Sequence, residues 1–190
     1  IAYPEGKDII KKLKITINKG EIISLYGPTG CGKTTLLKII SGIIPYVQKA
    51  NFSGKIYIDN QKINFDELKS KVILNFQEPE DQFIFTKIKD EIFFNLNKIE
   101  SNNAQFLIKY FKIDEILDKS IKDISTGQRK IVSLISTLCK EREVILLDEP
   151  TANLDISYKD KLIKILNKIS KNRIIIIGTH DKKLVEVSNR

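Results

Sequence analysis

Eight residues carry the most explicit chemistry in this chain: Gly27-Pro28-Thr29-Gly30-Cys31-Gly32-Lys33-Thr34. They fit the pattern G-x-x-x-x-G-K-[ST], in which glycines let consecutive backbone N–H groups turn inward around phosphate oxygens. The positive end of the helix that follows is aimed at the same anion. On this reading Lys33 reaches the β and γ phosphates of a nucleotide, and the Thr34 hydroxyl takes a place on Mg²⁺. The context such a loop needs is present. An apolar run, Ile22-Ile23-Ser24-Leu25-Tyr26, precedes it as a buried strand, and Thr35-Leu36-Leu37-Lys38-Ile39-Ile40 follows as a helix.

Two further groups complement that loop. Val144-Ile145-Leu146-Leu147 runs straight into Asp148 and Glu149. Four apolar residues ending in two acids place both carboxylates at the carboxyl edge of a parallel sheet, where ligands of such folds bind. The first acid can hold Mg²⁺, directly or through water, and the second can polarise a water for attack on a γ phosphate. The bland alternative is a pair of acids at a helix N-terminus. Ser125-Thr126-Gly127-Gln128 is by itself an ordinary helix cap. It stands, however, ahead of the helix that leads into the Asp148-Glu149 strand, and a capped helix start is an anion site. The phosphate loop already has its own helix. The second one would therefore serve a nucleotide held by another copy, a geometry that demands a head-to-tail dimer.

The elements that must position these groups are written in the hydrophobic pattern. Ile22–Tyr26, Val144–Leu147 and Ile174–Ile177 are almost wholly apolar, as strands covered on both faces must be, and Val72–Phe76 is a further core strand. Leu13–Asn18 and Lys55–Asp59 alternate apolar and polar, which predicts a small antiparallel sheet with a turn at Asp59-Asn60. Between 79 and 142 the pattern is helical, with Ala104–Phe111 and Ile131–Leu138 the clearest segments, and predicts an inserted helical subdomain. The fold class expected is α/β: a phosphate-loop NTPase core with a mostly parallel sheet, a small antiparallel β subdomain and an inserted α-helical subdomain.

At 190 residues the chain is long enough for a sizeable core. Its formal charge is +8, from 32 basic and 24 acidic residues. The lysines are spread through the whole sequence without a basic stripe interleaved with aromatics, so no direct nucleic-acid partner is expected. Cys31 and Cys139 form no disulfide framework, which suits a reducing compartment. No apolar stretch approaches the roughly 20 residues that a membrane-spanning helix needs, so any membrane role is expected to be peripheral. Methionine is absent even from position 1, and the chain is read as trimmed at its N-terminus.

Taken together these motifs resemble the nucleotide-binding domain of ATP-binding-cassette (ABC) proteins. Gly27–Thr35 resembles the Walker A motif, Gln77 the Q-loop, Ser125–Gln128 the signature motif and Val144–Glu149 the Walker B motif. Ala152-Asn153-Leu154-Asp155 resembles the D-loop and Thr179-His180-Asp181 the switch-histidine loop, while Tyr3 stands where the family keeps an aromatic residue against adenine. The resemblance implies one ABC ATPase domain over 1–190, with a core at 1–77 and 143–190 and a helical part at 78–142. It implies ATP and Mg²⁺ as cofactors, the latter at Thr34, Gln77 and Asp148. It also implies that Gly27, Pro28, Thr29, Gly30, Cys31, Gly32, Lys33, Thr34 and Thr35 cradle the nucleotide. Glu149, His180 and Gln77 are then the residues around the attacking water. Ser125, Gly127, Gln128 and Asp155 meet ATP or the partner across a head-to-tail dimer of two ABC ATPase chains.

A narrower resemblance comes from Gln77-Glu78-Pro79-Glu80-Asp81-Gln82-Phe83, together with Tyr3-Pro4. It is similar to the ATPases of energy-coupling-factor (ECF) importers for vitamins and metal ions. That resemblance implies a membrane-embedded coupling subunit docked near Gln77–Phe83, and a cytoplasmic chain peripheral on the inner face of the cell membrane. Two departures stand out: Thr126 occupies the place of the signature's usual glycine, and Ile131 that of a common basic residue. A non-transport ABC ATPase acting on nucleic acid or ribosomes is the alternative. Such proteins usually carry coiled-coil arms, long insertions or tandem domains, which this sequence does not show.

Overall fold

The computed structural model describes residues 13–48, 53–58 and 60–189. In chain order these form β1 (Ile22–Tyr26), α1 (Lys33–Ile40), α2 (Ile43–Tyr46), β2 (Tyr57–Ile58), β3 (Gln61–Lys62), α3 (Phe65–Lys71) and β4 (Val72–Asn75). There follow α4 (Ile88–Phe93), α5 (Lys98–Phe111), α6 (Thr126–Leu138), β5 (Val144–Asp148), α7 (Ile156–Ser170), β6 (Ile174–Thr179) and α8 (Lys182–Glu186). They group into two compact units. One comprises Ile1–Leu74, Arg142–Asp148 and Ser170–Arg190, and the other Asn75–Glu141 and Glu149–Ile169.

The first unit is built on a four-stranded sheet in the order β1-β6-β5-β4, with β6 parallel to both β1 and β5. All five residues of β5 are buried, which is why this strand reads as an unbroken apolar run ending in an acid. Leu37 of α1 packs with Leu146 and Ile176 of the sheet and with Leu68 and Val72, forming the unit's core cluster. A capping box at Asn64 and Glu67 starts α3, each side chain accepting the other residue's backbone N–H. The four core strands expected from apolar runs are all present.

The small antiparallel sheet exists, but its membership differs from the expectation. Tyr57–Ile58 pairs with Gln61–Lys62, and Asn60, just ahead of the second strand, is in the left-handed region at φ 62°. Leu13–Asn18 forms no strand. Alternation stabilises a strand only where one face is covered, and here Leu13 and Ile15 stay 53% and 46% exposed, with only Ile17 against the core.

The second unit is helical. The α6 helix forms its spine, buried continuously from Lys130 to Leu138, and α4 and α5 pack against it. The two helical segments legible in the pattern, Ala104–Phe111 and Ile131–Leu138, are the buried stretches of α5 and α6. The α7 helix buries Leu162, Ile165 and Leu166 and sets the Tyr158 ring 6.3 Å from that of Phe111. Among the described residues no helix is long and apolar enough to cross a membrane.

Candidate nucleotide site

The loop between β1 and α1 takes its shape from glycines. Gly30 and Gly32 have φ of 83° and 100°, conformations that side chains disfavour. Gly32 is also the N-cap of α1 and brings no side chain to cap it, so the first turn presents backbone N–H groups to the loop's interior. A Cβ on Gly27 would meet the Cys31 sulfur at 2.8 Å. Lys33 lies within this loop: its Nζ donates to the carbonyl oxygens of Gly27 at 2.7 Å and Pro28 at 3.2 Å. Pro28, Thr29, Gly30 and Cys31 are exposed, so the cradle is open to an incoming phosphate.

The sheet register brings the other members of the first unit to the same edge. Leu25 and Asp148 both lie level with Gly178, and Tyr26 with Thr179, so β1, β5 and β6 deliver their carboxyl ends together. A Cβ on Gly178 would sit 3.1 Å from the Asp148 carboxylate and 3.5 Å from Lys33 Cβ. Glycine is thus the residue that lets the acid and the phosphate-loop lysine share one corner. Asp148 is 2% exposed. His180 follows β6 directly and is exposed, on a turn fixed by its neighbours: Asp181 N–H donates to Thr179 Oγ1 (2.9 Å), and Asp181 Oδ1 accepts from Lys183 N–H (3.0 Å).

Glu149 comes next after Asp148 in the chain, but in an unusual conformation. It is 8% exposed with φ 43°, a left-handed backbone that non-glycine residues adopt at a cost. Its carbonyl accepts from Ala152 N–H at 3.2 Å, Thr151 O accepts from Leu154 N–H at 3.3 Å, and Asn153 has φ 59°. These consecutive turns end at Asp155, which caps α7 by accepting Tyr158 N–H on its carboxylate (2.9 Å) and Lys159 N–H on its carbonyl (3.0 Å).

In the second unit Ser125 and Gln128 form a capping box at the start of α6. Ser125 Oγ accepts Gln128 N–H at 3.2 Å, and Gln128 Oε1 accepts Ser125 N–H at 3.0 Å. With those side chains engaged, what this turn offers an anion is the Ser125 hydroxyl proton and the N–H groups of Thr126 and Gly127. A Cβ on Gly127 would lie 3.0 Å from Asn153 O, so the turn abuts the one leading to Asp155. Thr126 has a defined partner, its hydroxyl accepting from an Arg129 nitrogen at 3.3 Å. Gln77 is exposed two residues beyond β4. Tyr3 and Tyr3-Pro4 lie outside the described residues.

The donors suit the expected metal. Mg²⁺ takes oxygen ligands, keeps several waters and is usually held by one or two carboxylates beside substrate phosphates. Asp148 and Thr34 supply a carboxylate and a hydroxyl of that type. Two participants escaped the sequence reading. Gly178 carried a faint signal, a glycine between four isoleucines and Thr179-His180; Lys130, described below, looked like one more lysine.

This combination of a parallel sheet, a glycine cradle around Lys33 after β1, and an acid at the end of β5, the next strand but one, is that of a phosphate-loop nucleotide-binding domain. The chain belongs to the ABC transporter family, whose model matches residues 10–152; it is an ATP-binding, ATP-hydrolysing domain of that family. An energy-coupling factor transporter ATP-binding protein, EcfA, of Methanocaldococcus jannaschii is 34% identical over 97% of this chain. Its counterpart of the same name from Aster yellows witches'-broom phytoplasma is 34% identical over 91%. The chain spans 69% of the length of the first and 65% of the second. Among solved structures, CbiO1 of Clostridium perfringens, part of the ABC transporter complex CbiONQ, superposes with a TM-score of 0.78 at 28% identity, covering all of this chain and 79% of that one. An ATP-binding cassette solved as a post-hydrolysis dimer with ADP and Pi shares the fold, with a TM-score of 0.82 at 24% identity over 98% of this chain and 88% of that one.

Proposed function

We propose that this chain is the ATPase subunit of an ECF-type importer, powering uptake of a vitamin or metal ion through ATP-driven closure of a head-to-tail pair of such subunits. The observation that carries the reading is the presence of two separate anion-ready helix starts in one chain. One, at α1, is wrapped by its own phosphate loop; the other, at α6, has a capped Ser-Thr-Gly turn and no loop of its own. The second is useful to a nucleotide held by another chain. In the closed pair Lys33 and the Gly27–Thr35 amides hold one ATP, while Ser125 and Gly127 of the partner contact its γ phosphate. Asp155 crosses at the junction between the chains.

When bound, Mg²⁺ neutralises phosphate charge; Thr34, Asp148 and, through water, Gln77 would hold it. Glu149 polarises the attacking water, His180 contacts the γ phosphate, and Gln77 orients the nucleophile with a neutral amide that does not compete for its proton. ATP thus favours the closed pair and hydrolysis releases it, a ligand-driven population shift. The importer assignment is supported by the EcfA relatives and the CbiO1 likeness. Exposed Glu78, Asp81 and Ile84 beside Gln77 offer the membrane-embedded coupling subunit a surface that is both acidic and apolar. Such a subunit would hold the chain on the cytoplasmic face of the membrane.

The test is Glu149→Gln. It is expected to bind ATP, to stall hydrolysis and to form an ATP-dependent dimer by light scattering. Turnover equal to wild type would remove Glu149 from its role, and a monomer at saturating ATP would remove the head-to-tail pair.

A further inference from the structure

Lys130 lies in the middle of the second unit's core, 1% exposed and followed without interruption by the buried run from Ile131 to Leu138. A lysine is almost never fully buried unless its ammonium is satisfied, because hydrocarbon cannot replace its water. Here Nζ donates to the backbone carbonyls of Phe76 and Gln77, at 2.9 Å each.

The neighbouring polar residues follow the same helix face. Ser133 and Thr137 stand three and seven positions beyond Lys130. Asn75, wholly buried, donates to Ser133 O at 3.0 Å and to Thr137 Oγ1 at 3.1 Å. Gln82 donates to Ser133 O and Ser136 Oγ at 3.1 and 3.2 Å, and accepts from Asn75 Nδ2 and Phe76 N–H at 3.0 and 3.2 Å. At the surface Glu80 pairs with Arg129 Nε at 3.1 Å, and Arg129 reaches Thr126. The segment 75–82 is thereby bonded to α6 over two turns, from the capped end inward. A helix needing only to pack would carry leucine or methionine at position 130, since buried ions seldom stabilise more than apolar residues of equal size.

We propose that Lys130 is a positioning residue: its ammonium fixes the Gln77 backbone to the first turns of α6, so that the Gln77 amide and the Ser125–Gly127 turn are carried as one rigid piece. The inference rests on the roles proposed above for Gln77 and for that turn. A shift of Gln77 imposed by the nucleotide of its own chain is then delivered, through Lys130, to the turn that this chain offers its partner's nucleotide.

The test compares Lys130→Met, which keeps the length and loses the donors, with Lys130→Arg, which keeps both charge and donors. The Met variant is expected to lose at least tenfold in kcat with KM for ATP within twofold of wild type, because the phosphate loop lies in the other unit. The Arg variant is expected to recover kcat to within threefold of wild type. A Met variant with kcat within twofold of wild type, or an Arg variant as impaired as Met, overturns the proposal. Hydrogen exchange on the wild-type chain decides the matter even if the Met variant fails to fold. On adding a non-hydrolysable ATP analogue, peptides covering 75–82 and 125–131 should change protection together, and a change in only one of them overturns the rigid link. Glu149→Gln, assayed alongside, separates the two levels. Wild-type turnover there sinks the proposed catalytic roles, while the exchange data still decide on Lys130.

Discussion

At the scale of single residues, Glu149 combines chemistry with strain. A non-glycine residue at positive φ costs of order 1–3 kcal/mol unless its surroundings impose it, and such positions cluster at active sites. Replacing Glu149 (φ 43°) with glycine is therefore expected to raise the unfolding temperature by a few degrees while abolishing turnover, as scanning calorimetry and an ATPase assay on one preparation would show. Gly178 makes the opposite case. A methyl group there would press on the Asp148 carboxylate and on Leu37 Cδ1, both at 3.1 Å. Gly178→Ala is expected to cost about 1–2 kcal/mol by overpacking, lowering the melting temperature by about 2–8 °C, and to weaken ATP binding by displacing Asp148. The cradle at Gly27–Thr34 was legible in the sequence because its chemistry is local, a string of small residues ending in lysine and threonine. The need for glycine at 178 was not, because two residues distant in sequence impose it.

At the scale of elements, Ser125 shows how capping and binding share one turn. Its Oγ satisfies the N–H of Gln128, so Ser125→Ala is expected to destabilise the chain by about 1 kcal/mol in urea titrations at an unchanged m value. The core strands β1, β4, β5 and β6, like the helices α5 and α6, could be read from the sequence because burial on both faces or along one stripe leaves a periodic trace. Strand β2 lies within the alternating run Lys55–Asp59, whereas β3, two residues long, is too short to leave such a trace. Leu13–Asn18 has the trace without the covering layer. The polar face of α6 left no such trace: Lys130, Ser133 and Thr137 stand at helical spacing, and only the contacts of this face with Asn75 and Gln82, some fifty residues earlier, reveal that the stripe is buried.

At the scale of the whole molecule, the two units interleave along the chain, and the helical one draws α7 from beyond β5. Tyr110 OH donates to Lys161 O at 3.4 Å, and Leu162 and Leu166 are wholly buried. A fragment of residues 75–141 alone is therefore expected to lack a cooperative thermal transition by circular dichroism, and joining residues 149–169 through a short linker is expected to restore one. The chain's two sulfurs differ just as sharply: Cys31 is exposed at the rim of the glycine cradle, while Cys139 is buried. A maleimide dye offered to the native chain should accordingly couple one equivalent, with a second only in denaturant. Because the Cys31 sulfur belongs to the cradle, the native thiol is its own footprint of occupancy: bound ATP is expected to slow the coupling, and a rate indifferent to nucleotide would place the phosphate elsewhere.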